Sequence, residues 1–162
     1  MIWLFGIALI VALSFGIVLL FGAPYLPSLK PQVDGALELA GLLQGRTLLE
    51  LGCGDGKVLV AAAEKGLKVI GYELNPFLAL IAWLRTRRYK NQVKVICDNF
   101  WTADWPPADA VFTFLLPKYM AKLDSRMAAY KYKPTKLVSI AFVIPGRPID
   151  KQKNGVNLYF YK

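Results

Sequence analysis

The chain has 162 residues, 56% of them hydrophobic, with 20 Lys and Arg against 11 Asp and Glu and hence a net charge of +9. It contains no histidine, which excludes a histidine general base, a Ser-His-Asp triad and a histidine-ligated metal. Its two cysteines, Cys53 and Cys97, stand isolated and form neither a metal-type spacing nor a disulfide framework, so no metal is expected.

In chain order, no charged side chain occurs before Lys30, and Ile2 to Phe21 is an almost unbroken apolar stretch. It is long enough to cross a bilayer as a helix. A cleaved signal peptide would open on a basic region, which is missing here. Residues 1–23 are therefore expected to be a single-pass transmembrane anchor, with Trp3 and Tyr25 at the two interfaces as aromatic belts. Residues 24–31 form a Pro-rich junction, and 32–162 a single domain. Because all the charge follows the anchor, the positive-inside tendency places that domain on the cytoplasmic side.

An amphipathic helix is expected from Gln32 to Leu43. Strand and helix patterns then alternate: Thr47 to Leu51, Lys57 to Lys65, Lys68 to Tyr72, Pro76 to Arg88, Val93 to Cys97, Ala110 to Leu115, Lys118 to Tyr130 and Lys136 to Val143. This alternation predicts an α/β domain, a mainly parallel Rossmann-like sheet with helices on both faces. Pro145 to Gly155 is too short for a full crossover helix, so the fold is shortened at its C-terminal end and Val156 to Tyr161 pairs antiparallel with its predecessor.

The chemistry concentrates in the run Leu49-Glu50-Leu51-Gly52-Cys53-Gly54-Asp55-Gly56 and in Gly71-Tyr72-Glu73-Leu74-Asn75-Pro76. The first is a strand breaking into a glycine turn that opens a helix, the arrangement that lets a ligand approach backbone closely. The second ends the next strand on an acid. Glu73 follows Glu50 by 23 residues, close to the spacing at which a carboxylate reaches ribose hydroxyls in dinucleotide folds. Glu50, Asp55 and Glu73 around one turn would repel a pyrophosphate and suit a ligand with a cationic amino-acid end and a sulfonium. A nicotinamide-type Rossmann domain is the alternative.

This Glu-x-Gly-x-Gly-x-Gly form resembles motif I of the class I S-adenosylmethionine-dependent methyltransferases, and Glu73 resembles their ribose-binding acid. Asp98, in Asp98-Asn99-Phe100 after the third strand, stands where those enzymes place an acid facing the adenine amino group. The resemblance narrows with the junction Pro24-Tyr25-Leu26-Pro27-Ser28, the segment Phe114-Leu115-Leu116-Pro117, Ile144-Pro145-Gly146 and Leu158-Tyr159-Phe160-Tyr161. In this order they resemble the membrane-anchored protein-lysine methyltransferases that act on the ATP synthase rotor-ring protein or the adenine nucleotide translocase, and their bacterial relatives. Phe114 stands where that group often has tyrosine, and Ile140 where a histidine is common.

The resemblance implies S-adenosyl-L-methionine as cofactor, held by Glu50, Gly52, Cys53, Gly54, Gly56, Glu73, Leu74, Asp98, Asn99 and Phe100. It implies a substrate side at Tyr25, Pro27, Phe114 and Pro117, and a matrix-side domain were the protein mitochondrial. A substrate lysine must lose its proton, which costs on the order of 4 to 5 kcal/mol at neutral pH from a pKa of about 10.4. A dry channel lowers that cost, and Tyr25, Phe100, Trp101 and Phe114 are the candidates for lining it.

Basic residues cluster at Arg85, Arg87, Arg88 and Lys90, at Lys118, Lys122 and Arg126, and at Lys131, Lys133 and Lys136, with tyrosines interleaved. Such a surface suits a nucleic-acid backbone or anionic lipid, or is simply solvated; on a tethered chain lipid is favoured and nucleic acid is not an expected partner. Three readings follow: a protein-lysine methyltransferase acting on a membrane protein, a methyltransferase for a lipid or lipophilic small molecule, and a non-catalytic cofactor-binding module.

Overall fold

A computed structural model of the chain describes residues 28–162 together with Trp3, Phe5 and Gly6. The predicted anchor and the junction through Pro27, including Tyr25, lie outside the described residues. Among the described residues no helix is long and apolar enough to cross a membrane.

Helix α1 (Lys30–Ala40) leads into β1 (Thr47–Leu51), α2 (Lys57–Glu64), β2 (Lys68–Glu73), α3 (Pro76–Thr86), a 3-10 turn (Arg87–Tyr89) and β3 (Val93–Cys97). Then come β4 (Ala110–Thr113), α4 (Pro117–Ala128), β5 (Thr135–Ile140), β6 (Lys151–Lys153) and β7 (Val156–Tyr161). The seven strands form one sheet in the order β3-β2-β1-β4-β5-β7-β6. β1 pairs in parallel with β2, Thr47 opposite Lys68, and with β4, Leu48 opposite Ala110. β7 runs antiparallel between β5 and β6, with Thr135 opposite Tyr161 and Lys153 opposite Val156. The antiparallel pairing expected of Val156 to Tyr161 is present.

Helices cover both faces, but unequally. On one face α1, α2 and α3 contribute Val33, Ala36, Leu37, Val58, Leu59, Ala62 and Ala82 to a core with Leu48, Val69, Phe112, Val138 and Leu158. On the other, α4 is the only helix that packs among the described residues, through Met120, Leu123 and Met127, and the rest is closed by Phe100, Trp105, Tyr130 and Ile144 against Leu49, Leu51, Tyr72, Leu137 and Tyr159. The loop after β3 does the work of a helix there: Trp105 Nε1 donates to the Phe100 carbonyl at 2.8 Å and the Tyr130 hydroxyl to the Pro106 carbonyl at 2.6 Å. Each large side chain so buried is worth about 1.5 to 3 kcal/mol.

Element ends follow local chemistry. α1 stops at Gly41, whose φ of 54° closes a left-handed C-cap, two residues before the predicted Leu43. α3 opens on Asn75, whose Oδ1 accepts from Phe77 N at 2.9 Å and Leu78 N at 3.4 Å, with Pro76 in the first turn. β5 ends at Ile140 rather than Val143, because Ala141 turns at φ 64° and gives its N–H to the Gly155 carbonyl at 2.7 Å. β6 lies outside the expected strands; its signal is the pair Asn154-Gly155, with φ of 51° and 73°, a two-residue hairpin turn.

Candidate active site

The parallel strands all end on one rim, and the strand order reverses direction between β1 and β4, so a crevice opens beyond their carboxyl ends at that point. The turn after β1 forms its floor. Gly52, Gly54 and Gly56 have φ of 81°, 53° and 81°, a region that side chains disfavour. A Cβ on Gly52 would meet nothing within 4 Å, so this glycine leaves open space above the turn, whereas one on Gly56 would come within 3.0 Å of Ala82 in α3. The backbone N–H groups of Gly52 and Cys53 both donate to the Tyr72 carbonyl, at 2.9 and 2.8 Å, tying the turn to β2. Gly71 is required by packing: a Cβ there would lie 2.9 Å from Cys53 Sγ and 2.8 Å from Leu59 Cδ2.

Glu73 joins the two motifs. One carboxylate oxygen accepts from Gly54 N and the other from Asn75 N, each at 2.8 Å. Burial raises its pKa and the amides of Asn75, Gly54 and Leu74 oppose that rise. A carboxylate can accept about four hydrogen bonds, so Glu73 keeps acceptor capacity for hydroxyls. Leu74 lies half-buried between these two anchored residues.

Glu50 is different. It is 3% exposed, and its Oε2 has no hydrogen-bond partner among the described residues. Burial first, then the charges of Glu73 and Asp55, hold its carboxyl well above the usual range. Asp55 itself is neutralised, since Arg85 of α3 bonds its carboxylate and, at 2.8 Å, its carbonyl, and Lys57 lies 3.6 Å away. Glu50 and Glu73 are therefore the acids of the crevice that form no salt bridge among the described residues. Burial and the same acids push the Cys53 thiol up, which makes it a packing group rather than a nucleophile.

An orphaned buried carboxylate oxygen beside a second buried acid is complementary to a cation and hostile to a pyrophosphate. The residues present thus fit S-adenosylmethionine: Glu50 for a cationic centre, Glu73 for ribose hydroxyls, and the open space over Gly52 for close approach.

The remaining predicted residues fall into two groups. Asp98 gives its N–H to the Glu73 carbonyl at 3.0 Å and stays exposed, its Oδ1 taking Asn99 N at 2.7 Å. Asn99 builds the next turn, with Oδ1 accepting from Trp101 N at 2.9 Å. Phe100 is buried against Trp101, ring centroids 4.7 Å apart. Across the sheet, Phe114 belongs to the α1–α2 face and stacks on Phe142, with centroids 6.3 Å apart. Pro117 is exposed, in the first turn of α4. The candidate aromatic residues thus approach the rim from opposite faces rather than as one cluster.

Sequence reasoning missed three residues. Asn75, fully buried with Nδ2 unpartnered among the described residues, is marked in the sequence by its place before Pro76. Arg85 and Phe142 reach the rim only through the fold, and no local pattern announces either. The Phe142 loop is fixed by Ser139 Oγ at 3.0 Å and Asn157 Nδ2 at 3.4 Å, both donating to the Phe142 carbonyl. No group of three His, Cys, Asp or Glu side chains among the described residues is placed to hold a metal.

Comparison with known proteins agrees with this geometry. A family model described as the ANTKMT methyltransferase domain matches residues 50–151. The chain is 32% identical over 127 residues to the adenine nucleotide translocase lysine N-methyltransferase of Mus musculus, covering 75% of this chain and 54% of that protein. It is 28% identical over 127 residues to a protein-lysine N-methyltransferase of Saccharolobus islandicus, covering 76% of this chain and 79% of that one. The crystal structure of an RNA methyltransferase from Salinibacter ruber in complex with S-adenosyl-L-homocysteine superposes with a TM-score of 0.76 at 29% identity, covering 84% of this chain and 92% of that one. Lysine N-methyltransferases of ATP synthase from Homo sapiens, Xenopus laevis and Mus musculus also match, and the chain spans about half the length of each. With the matched segment running from Glu50 through the rim to β6, the chain belongs to the ANTKMT methyltransferase domain family.

Proposed function

We propose that the chain is an S-adenosylmethionine-dependent methyltransferase that N-methylates lysine side chains of a membrane-associated protein. The observation that carries this reading is the pair of buried carboxylates, Glu50 with an orphaned oxygen and Glu73 on the glycine turn, in a family whose relatives are named for lysine methylation.

Bound cofactor supplies an electrophilic sulfonium methyl. The chain's own part is positioning, which accounts for much of the acceleration of such a displacement. Glu73 fixes the turn and orients hydroxyls, Glu50 neutralises a cationic centre, and Asp98 offers an exposed acceptor beyond β3. Phe114 and Phe142 form an apolar ring pair on the β4–β5 side of the switch point, where a lysine stem would lie. Low polarity there favours the neutral amine, and ring faces accommodate the cation that forms on transfer. No strong base is required if the departing proton reaches solvent. The uncharged stretch Ile2 to Phe21 supports a membrane-proximal substrate and a single-pass anchor with the domain on the cytoplasmic side.

Incubating the full chain with membranes and methyl-labelled cofactor tests this. Label on lysine in the protein fraction, abolished by Gly54→Arg, is expected. Label in the lipid or RNA fraction instead would replace the substrate assignment, and label in none would remove the enzymatic one.

A further inference from the structure

We propose that α3 is a membrane-docking helix whose outward face lies in the interface of an anionic bilayer. This stands independently of the methyl-transfer reading. From Pro76 to Leu84, α3 is apolar on every side. Its inner face buries Leu78, Ala79 and Ala82, while Leu80, Ile81, Trp83 and Leu84 are 53%, 44%, 56% and 46% exposed. A surface helix ordinarily turns a polar face outward, and single exposed apolar residues need no explanation. Four large ones within five positions form a contiguous patch of the kind that marks an interaction site.

Charge selects the occupant. From Asn75 to Asn91 there is no acidic residue, and the helix runs into Arg85, Arg87, Arg88 and Lys90. Arg85 is committed to Asp55 and Arg88 to Glu64, whereas Arg87 and Lys90 are exposed and pair with no carboxylate among the described residues. A stripe of Leu, Ile and Trp edged by uncompensated cations is complementary to acyl chains beneath anionic headgroups. Trp83 supplies the amphipathic ring that settles at that boundary. Eleven residues make a helix about 16 Å long, too short to span and suited to lie in the plane. The uncharged stretch before Lys30 joins the domain at the start of α1, on the sheet face that also carries α3. Docking there would set the mouth of the crevice beside the bilayer, since α3 is fastened to the site through Asn75 and Glu73 at one end and Arg85 and Asp55 along its length.

The test is a depth measurement by nitroxide labelling of the full chain in vesicles. On a Cys97→Ser background, with Cys53 buried, labels are placed at Leu80→Cys and Leu84→Cys, with a control at Gln152→Cys on exposed β6. In mixed phosphatidylcholine and phosphatidylglycerol vesicles, the α3 labels are expected to collide with oxygen but to be protected roughly tenfold from a water-soluble nickel chelate relative to Gln152→Cys. Arg87→Glu with Lys90→Glu should return chelate access while circular dichroism and cofactor binding report an intact fold. Chelate access at both α3 positions equal to the control overturns the proposal. So does exclusion of both reagents in vesicles and detergent alike, which would mean a protein surface covers the helix. Equal protection in phosphatidylcholine alone overturns the anionic assignment.

Discussion

The rim of the sheet is built by two unlike halves. Over β1, β2 and β3 it is made of backbone constraint: three glycines at positive φ, a carboxylate that accepts from both the turn and the N-cap residue of α3, and a buried acid with a spare oxygen. Over β4 and β5 it is made of side-chain packing, Phe114 on Phe142, held by a loop that Ser139 and Asn157 pin through one carbonyl. The first half is constrained by backbone conformation and buried acids at the same few positions. The second rests on ring packing, so a change of ring there is expected to leave the glycine turn in place.

That contrast can be broken most severely in the first half. Gly54→Arg places a side chain at φ 53° in the turn and removes room for ligand. Calorimetry should find no cofactor binding, with affinity down by at least about a hundredfold. Glu73→Ala comes next. It removes charge-assisted contacts and leaves Gly54 N and Asn75 N without an acceptor, so affinity should fall by about 1.5 to 3 kcal/mol, and the melting temperature should fall with it.

Glu50→Gln sharpens the comparison by separating binding from stability. The Glu50 carboxyl is held above its ordinary range in the ligand-free chain, so a fold containing it loses stability as pH rises from the ordinary carboxyl value through the raised one. Removing the charge should raise the melting temperature of the ligand-free chain at neutral pH while weakening the cofactor by about 1 to 2 kcal/mol. Cofactor affinity of the parent chain should climb with pH as Glu50 ionises, because a cation favours the carboxylate, and the variant should show a flatter profile.

The smallest effect belongs to the second half. Phe114→Ala should leave the cofactor dissociation constant unchanged within about twofold while lowering kcat/KM for the methyl acceptor roughly tenfold, about 1.4 kcal/mol. A large change in cofactor affinity instead would show that the two halves are coupled.

The same division explains what could be read in advance. The glycine turn and Glu73 were legible because a left-handed turn admits few residue types and a strand-end acid has a fixed distance to cover. β1 and β3 were legible with their bounds because apolar runs end abruptly at Gly52 and Asp98. The role of Asp55 was not: its charge counts toward the crevice until the fold supplies Arg85, thirty positions away in sequence. The stack of Phe114 on Phe142 and the uneven helix cover of the two faces were not legible either. Both depend on which strand neighbours which, and a run such as Phe100 to Trp105 carries no period to announce that it substitutes for a helix.

The hairpin at Asn154-Gly155 bears on how the chain reaches this state. β6 and β7 are joined by two residues already suited to the turn, so they can meet in roughly 1 to 10 μs. β1 can meet β4 only after a span of 62 residues has been brought back on itself, a closure that must be completed before those contacts reward it. The order of assembly therefore runs against the order of function. The peripheral strand pair closes over two residues, while the central seam between β1 and β4, where the crevice opens, needs a far longer closure before its contacts form.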